Sequence, residues 1–186
     1  LNGSSAQTIT ASGGETFDNL TADNAAGITL GSDVTATTGL ALTNGIVSTS
    51  TNTLSVGGSG SVSRTNGHVN GNLRKTVPTG TPSLTFEIGD ATSYAPFSTT
   101  FASVTTAGTL TARTTPGDHP NLNTSIIDGS KSVNRYWTLT NAGTVFTSYD
   151  GTFTFVPTDL DPSAATGSFL IQKYVNPSWT SANVTG

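Results

Sequence analysis

Short segments with two apolar side chains recur through the first third of the chain. Ile28–Leu30, Leu40–Leu42 and Leu54–Val56 each alternate apolar and small residues, and each is followed closely by glycine or asparagine. Alternation places both apolar side chains on one face of a strand, and the connections are too short for helices. Two folds fit: a β-solenoid, in which each strand stacks on its equivalent one coil later, and an antiparallel sandwich of hairpins. We favour the solenoid because the segments are short and Phe17 is the one aromatic residue before Arg64.

Longer strands with aromatic residues are predicted after Pro82. Leu84–Ile88, Val133–Leu139 and Phe153–Val156 alternate, and sequences rich in glycine, proline and asparagine separate them. Alternating strands separated by such turn-forming sequences are typical of an antiparallel β-sandwich. We therefore predict an all-β protein with a Gly/Thr/Asn-rich, β-solenoid-like or irregular β region at residues 1–77 and an antiparallel β-sandwich at residues 78–186. The sandwich core is expected to contain four large rings: Phe86, Phe101, Trp137 and Phe155.

The composition supports the absence of helices. Charged residues make up 10% of the chain, against about 25% in an average globular domain. Threonine is the most common residue, and its branched side chain favours strands over helices. Hydrophobic residues still amount to 33% and fall in alternating runs, which argues against a disordered chain.

Charge and missing residue types exclude several functions. The net charge is −4 and the isoelectric point is about 4.8, so nucleic acid is not an expected partner. There is no cysteine for a disulfide or a thiolate metal site, and no apolar run is long enough to span a membrane. Methionine is absent even from position 1, which predicts that the chain is a piece of a longer product.

Four stretches carry a resemblance to a known class of protein. They are Gly71–Gly80 (GNLRKTVPTG), Phe86–Asp90 (FEIGD), Gly117–Pro120 (GDHP) and Lys131–Leu139 (KSVNRYWTL). The chain resembles modules of very large secreted surface proteins of Bacteroidetes-type bacteria, which often have a lead-in rich in glycine, threonine and asparagine. The resemblance implies an extracellular or cell-surface protein, adhesin-like or filament-forming, of the kind exported by the type IX route.

No arrangement of residues indicates a reaction. His68 and His119 are the two imidazoles, and no G-x-S-x-G nucleophile motif accompanies them. Asp159 and Asp161 stand two positions apart, so both carboxylates lie on one side of an extended chain. This pair predicts either a Ca²⁺ site or a solvated acidic turn, and the turn is the simpler interpretation. We expect no other cofactor and no enzymatic activity.

Aromatic side chains outside the core are candidates for stacking against sugar rings. Tyr136, Tyr149 and Trp179 fit this role, and Trp179 follows Pro177 near the end of the chain. A carbohydrate-binding module of a secreted multidomain protein is therefore the alternative function.

The leading hypothesis is a structural module of an extracellular bacterial surface fibre or adhesin. A solenoid end has unpaired backbone groups, which can pair with a neighbouring subunit or module. Because the first residues contain little that resembles a charged cap, we predict assembly contacts there, either as a homopolymer or between neighbouring modules. The expected contact residues are Ile9, Phe17, Leu20 and Ile28.

Overall fold

The structure is a computed structural model, and it describes residues 1–183. Strands dominate, and the helical segments among these residues are three single turns of 3-10 helix, at Leu122–Thr124, Pro157–Asp159 and Thr166–Ser168. The first region contains seven strands: β1 (Gln7–Ile9), β2 (Glu15–Asp23), β3 (Ile28–Leu30), β4 (Val34–Asn44), β5 (Ile46–Val56), β6 (Ser61–Arg64) and β7 (His68–Val77).

These seven strands pair in parallel and build three stacks. Stack A contains β1, β3 and the first parts of β5 and β7. Stack B contains the first parts of β2 and β4 and the last parts of β5 and β7. Stack C contains the last parts of β2 and β4, followed by β6. Paired positions in successive coils are 19 to 22 residues apart, as in Glu15 beside Val34 and Leu40 beside Val62.

Apolar side chains form columns inside the coils. Paired residues of parallel strands point to the same side, so each column continues from coil to coil. One column in stack B runs through Val34, Leu54 and Leu73, each at most 1% exposed. The apolar side chains predicted from the sequence therefore face inward, and the solenoid-like region is confirmed. Its strands are not all short, because β4 and β5 are each 11 residues long.

The corner between stacks C and A depends on Asn24 and Gly45. Asn24 is fully buried, and its side chain donates to the Ser5 carbonyl and accepts the Ala26 amide. Gly45 has a φ of +79°, and a Cβ there would lie 1.8 Å from the Asn24 carbonyl oxygen. Only glycine fits this close approach between two coils.

After β7 the pairing changes to antiparallel. The short strand β9 is the exception, because it pairs in parallel with β7. The later strands are β8 (Ser83–Phe86), β9 (Ile88–Gly89), β10 (Phe97–Phe101), β11 (Val104–Thr106), β12 (Gly108–Pro116), β13 (Arg135–Ala142), β14 (Val145–Phe146), β15 (Tyr149–Phe153), β16 (Ile171–Val175) and β17 (Ser178–Ala182). They form a three-stranded sheet in the order β15-β10-β8, the pairs β11-β14 and β16-β17, and the continuation β7-β12-β13. The predicted fold class is confirmed.

The aromatic core is built around Phe97. Its ring lies 5.9 Å from the Phe86 ring and 4.9 Å from the Phe153 ring, between centroids. Phe101 is buried in the same cluster, and half-buried Trp137 packs against it. The expectation for Phe155 is wrong. The register of β10 and β15 pairs Phe97 with Phe153, and β15 ends there, so its alternation does not extend to Phe155.

The chain divides into two compact units. The first consists of Leu1–Thr114 and Trp137–Thr154, and the second of Thr115–Tyr136 and Phe155–Gly186. Residue 77, where the two predicted regions meet, is the end of β7 and lies inside the first unit.

The second unit is smaller and has few buried apolar residues. It contains the hairpin β16-β17 and a bridge between Val133 and Leu160. Phe155 packs against Phe169 here, with ring centroids 6.2 Å apart. Arg135 and Asp159 form an ion pair in which both side chains are buried.

Candidate functional site

The N-terminal end of the coiled region has open strand edges. In the described chain, β1 pairs only with β3, and β2 pairs in a ladder only with β4. Each strand therefore has one edge whose backbone N–H and C=O groups have no strand partner, except where Leu1 and Asn2 reach β2. Such edges can pair with another strand.

Leu1 and Asn2 form part of a further layer in stack C, beside the end of β2. The Leu1 ammonium donates to the Thr21 carbonyl at 2.7 Å, and the Asp23 amide donates to the Leu1 carbonyl at 2.9 Å. Asn2 pairs in parallel with Asp23, 21 residues later, which matches the coil repeat. Stacks A and B have no equivalent cover within residues 1–183.

The predicted contact residues lie at this end, but three of them point inward. Ile9, Leu20 and Ile28 are 9%, 5% and 3% exposed and belong to the chain's own core. Phe17 is half-buried and packs against the same core. The prediction that the side chains of Ile9, Leu20 and Ile28 face a partner is therefore corrected. What remains available for a contact is the backbone edge, together with the half-buried residues Glu15 and Phe17.

The opposite end of stacks A and B is closed by the chain itself. Stack A ends with β9, where Gly89 forms an antiparallel bridge with Tyr94. Stack B ends with β12, which pairs antiparallel with the last part of β7. Stack C ends at β6, where Val62 is half-buried and the Arg64 guanidinium lies 3.5 Å from the centroid of the Tyr94 ring.

A buried ion pair completes the closed end. Lys75 is the last residue of the stack B column that runs through Ala36 and Val56. Its ammonium donates to Glu87 at 2.7 Å and also to the Thr85 carbonyl. The two charged side chains are 10% and 11% exposed. Burial lowers the pKa of Lys75 below its usual value, and the Glu87 carboxylate opposes this shift.

Charge is distributed unevenly along the coils. The charged side chains before Arg64 are all acidic, and three of them lie on the edge strand β2: Glu15, Asp18 and Asp23. Basic side chains occur toward the closed end, at Arg64 on β6 and at Arg74 and Lys75 on β7. Any partner at the open end therefore meets an acidic surface.

Asp159 and Asp161 are bound by protein donors. Both Asp159 oxygens accept from Arg135, at 2.7 and 2.9 Å. The Asp161 carboxylate accepts from the Ser132 amide and from the Asn134 side chain, and these hydrogen bonds lower the pKa of Asp161. The two carboxylates thus join different segments of the second unit, and the cation site there stays a prediction. No group of three or more potential metal ligands occurs within the described residues.

Tyr136 and Trp179 lie together, as a sugar-stacking surface would need. Each ring is centred 5.0 Å from His119, and Tyr174 lies 4.9 Å from it. The Trp179 indole donates to the Asn121 carbonyl at 3.2 Å, which fixes the orientation of the ring. All four rings are half-buried, so they also serve as packing for a unit with little other apolar material. Tyr149 lies elsewhere, beside Phe101 and Phe146.

Sequence reasoning missed the central position of His119 and the pairing of Lys75 with Glu87. A signal for Lys75 existed, because strand alternation places it on the same face as buried Leu73 and Val77. Nothing in the sequence indicated that Tyr136, Tyr174 and Trp179 would meet at one histidine.

The described residues contain no helix that is both long and apolar enough to cross a membrane.

Comparisons with known proteins provide no relative for this chain. A scan of family models, a search of curated proteins and a search of solved structures each find no match to the chain.

Proposed function

We propose that this chain is a structural module of an extracellular bacterial surface fibre or adhesin, joined to its neighbour by β-strand pairing. The observation that carries the proposal is the asymmetry of the coiled region. Its N-terminal end has open edges on β1 and β2, whereas β9 and β12 close stacks A and B at the other end. A parallel coil can extend such an open end by backbone hydrogen bonds alone.

The role is mechanical in this proposal, and no catalytic group takes part. Backbone hydrogen bonds in successive coils resist separation without needing charged or oxidisable side chains. The chain has no cysteine or methionine and only 10% charged residues, which suits a protein exposed to oxidants and variable salt outside the cell.

The location is tested on cells that produce the intact protein. Antibodies against residues 1–183 should label unpermeabilised cells or shed threads in negative-stain images, and external protease should remove the label. Labelling that appears only after permeabilisation would contradict the proposal.

Carbohydrate binding is the second candidate, and the grouping of Tyr136, Tyr174 and Trp179 around His119 favours it. The test is a glycan array followed by calorimetry with the wild-type chain and Trp179→Ala. A sugar whose affinity falls at least about tenfold in the variant, as loss of a stacking ring predicts, would support this function over the first. Tyr149→Ala is the matched control, because Tyr149 lies outside the His119 cluster.

A further inference from the structure

The Glu15 carboxylate indicates which kind of partner fits the open end. We propose that this end binds another parallel coil of 19 to 22 residues, whose stack B strand places a lysine or arginine over Glu15. The inference rests on the proposed function and specifies the partner that strand pairing would use.

Glu15 occupies an inward position. It pairs with Val34, and the same column continues through Leu54 and Leu73, which are fully buried. Glu15 itself is half-buried because no strand lies above it. Within the described residues the one hydrogen bond of its carboxylate is from the Thr16 amide, at 3.0 Å, and the carboxylate forms no ion pair. A strand that covered Glu15 without a basic group would bury an uncompensated carboxylate, which is costly.

The closed end of the coiled region shows how an inward-facing charge at the last layer of stack B is neutralised. Lys75 ends the neighbouring column, and the segment that follows β8 supplies Glu87 at 2.7 Å from its ammonium. The strand that covers this end of stack B is β12, which pairs Leu110 with Lys75, so the opposite charge comes from a second segment that packs at the same end. By the same physical requirement, the structure that covers Glu15 needs to supply a cation.

The register of Leu1 and Asn2 favours a coil as the occupant. These residues already pair with the end of β2, at an offset that equals the coil repeat. A coil that enters through Leu1 would cover β1 and the Glu15–Phe17 part of β2, and it would continue stack C without a change of register.

A second copy of this chain fits less well. Two N-terminal ends brought together would oppose Glu15, Asp18 and Asp23 to the same residues, and like charges on facing strands are destabilising. Contact with the far end of another copy would meet β9 and β12, which already close two of the three stacks.

The test adds one coil to the full chain. A copy of residues 1–21 is fused ahead of Leu1, which preserves the 21-residue offset between Asn2 and Asp23. In the test protein the copied coil contains Glu15→Lys. Two matched controls have the same copy either unchanged, so that Glu lies over Glu, or with Glu15→Gln.

Hydrogen exchange of the original β1 and β2 amides is the readout, with circular dichroism to verify folding. With lysine in the copy, these amides should exchange at least about tenfold more slowly than in the unextended chain, because they gain backbone partners. Protection should decrease from lysine to glutamine to glutamate. Glu15→Gln in the original coil should remove the advantage of lysine.

Three results would overturn the inference. One is a folded lysine fusion in which β1 and β2 exchange as fast as in the unextended chain. The second is equal protection by all three copies, which would show that the charge of Glu15 plays no part in selecting the strand that pairs there. The third is a stable dimer of the unextended chain in light scattering that disappears with Thr16→Pro on the edge strand. None of these depends on where the protein is located, so they are separable from failure of the proposed function.

Discussion

The buried pair of Lys75 and Glu87 permits a quantitative test of what closes the coiled region. Glu87→Gln keeps the volume of the side chain but leaves the Lys75 ammonium in a site where it is 10% exposed. Removing one partner of a buried ion pair costs about 3–5 kcal/mol. Since a domain of ordinary stability has an unfolding free energy of about 5–15 kcal/mol, the variant should lose about a fifth or more of its stability.

Removing both charges should be much less damaging. In the double variant Lys75→Met, Glu87→Leu, no charge remains buried, and apolar groups of similar size fill the space. The Thr85 carbonyl loses its donor, which costs about 1 kcal/mol. We expect the double variant to lie within about 2 kcal/mol of wild type, so the two single losses are far from additive.

The assay is urea unfolding followed by the fluorescence of Trp137, in a Trp179→Phe background that removes the signal of the second unit. Arg113→Met is the matched control, because Arg113 is an exposed basic residue on β12 in the same unit as Trp137. This control should change stability by less than about 1 kcal/mol. A loss of under about 1 kcal/mol in Glu87→Gln, or additive losses in the double variant, would refute the reasoning.

Three further outcomes are expected. Because burial lowers the pKa of Lys75 below 10.5, the unfolded chain binds more protons just below that pH, so stability rises as the pH approaches 10.5. Lys75→Met should abolish this rise, as measured by urea titrations at several pH values. Phe97→Ala should destabilise the first unit by about 3–5 kcal/mol in the same assay, whereas Phe155→Ala should leave the Trp137 transition unchanged. The lowered pKa of Asp161 contributes stability above pH 3.8 that is lost as the pH falls through the folded-state value. Asp161→Asn should therefore remove this step from the acid titration of the second unit, and an unaltered titration would contradict the role of the Ser132 amide.

The coiled region was predictable because its pattern is local. Ile28–Leu30, Leu40–Leu42 and Leu54–Val56 each mark one inward-facing strand, in stacks A, C and B respectively. The coil repeat itself did not follow from the sequence, because these three segments belong to different stacks. The sequence could not show that Phe153, and not Phe155, lies in the core. The alternation of apolar and polar residues continues beyond Phe153, the residue at which β15 ends.

The contacts of the charged residues could not be predicted from the sequence, for a different reason. Asp159 meets Arg135, which is 24 residues away, after the bridge of Val133 with Leu160 has brought their segments together. Two neighbouring carboxylates in a polar turn look the same in a sequence whether they bind water, a cation or a guanidinium. The open edge of β2 was anticipated, but the inward direction of Glu15 required the register with Val34.

The division of the first unit between Leu1–Thr114 and Trp137–Thr154 has a consequence for proteolytic cleavage. β15 returns to pair with β10 along its whole length, from Phe97 beside Phe153 to Phe101 beside Tyr149. A single cut in the exposed stretch around Lys131 would therefore leave two polypeptides that remain associated under native conditions and separate only in denaturant. The coils of residues 1–77 lie entirely on one side of such a cut, so their stacks would stay intact.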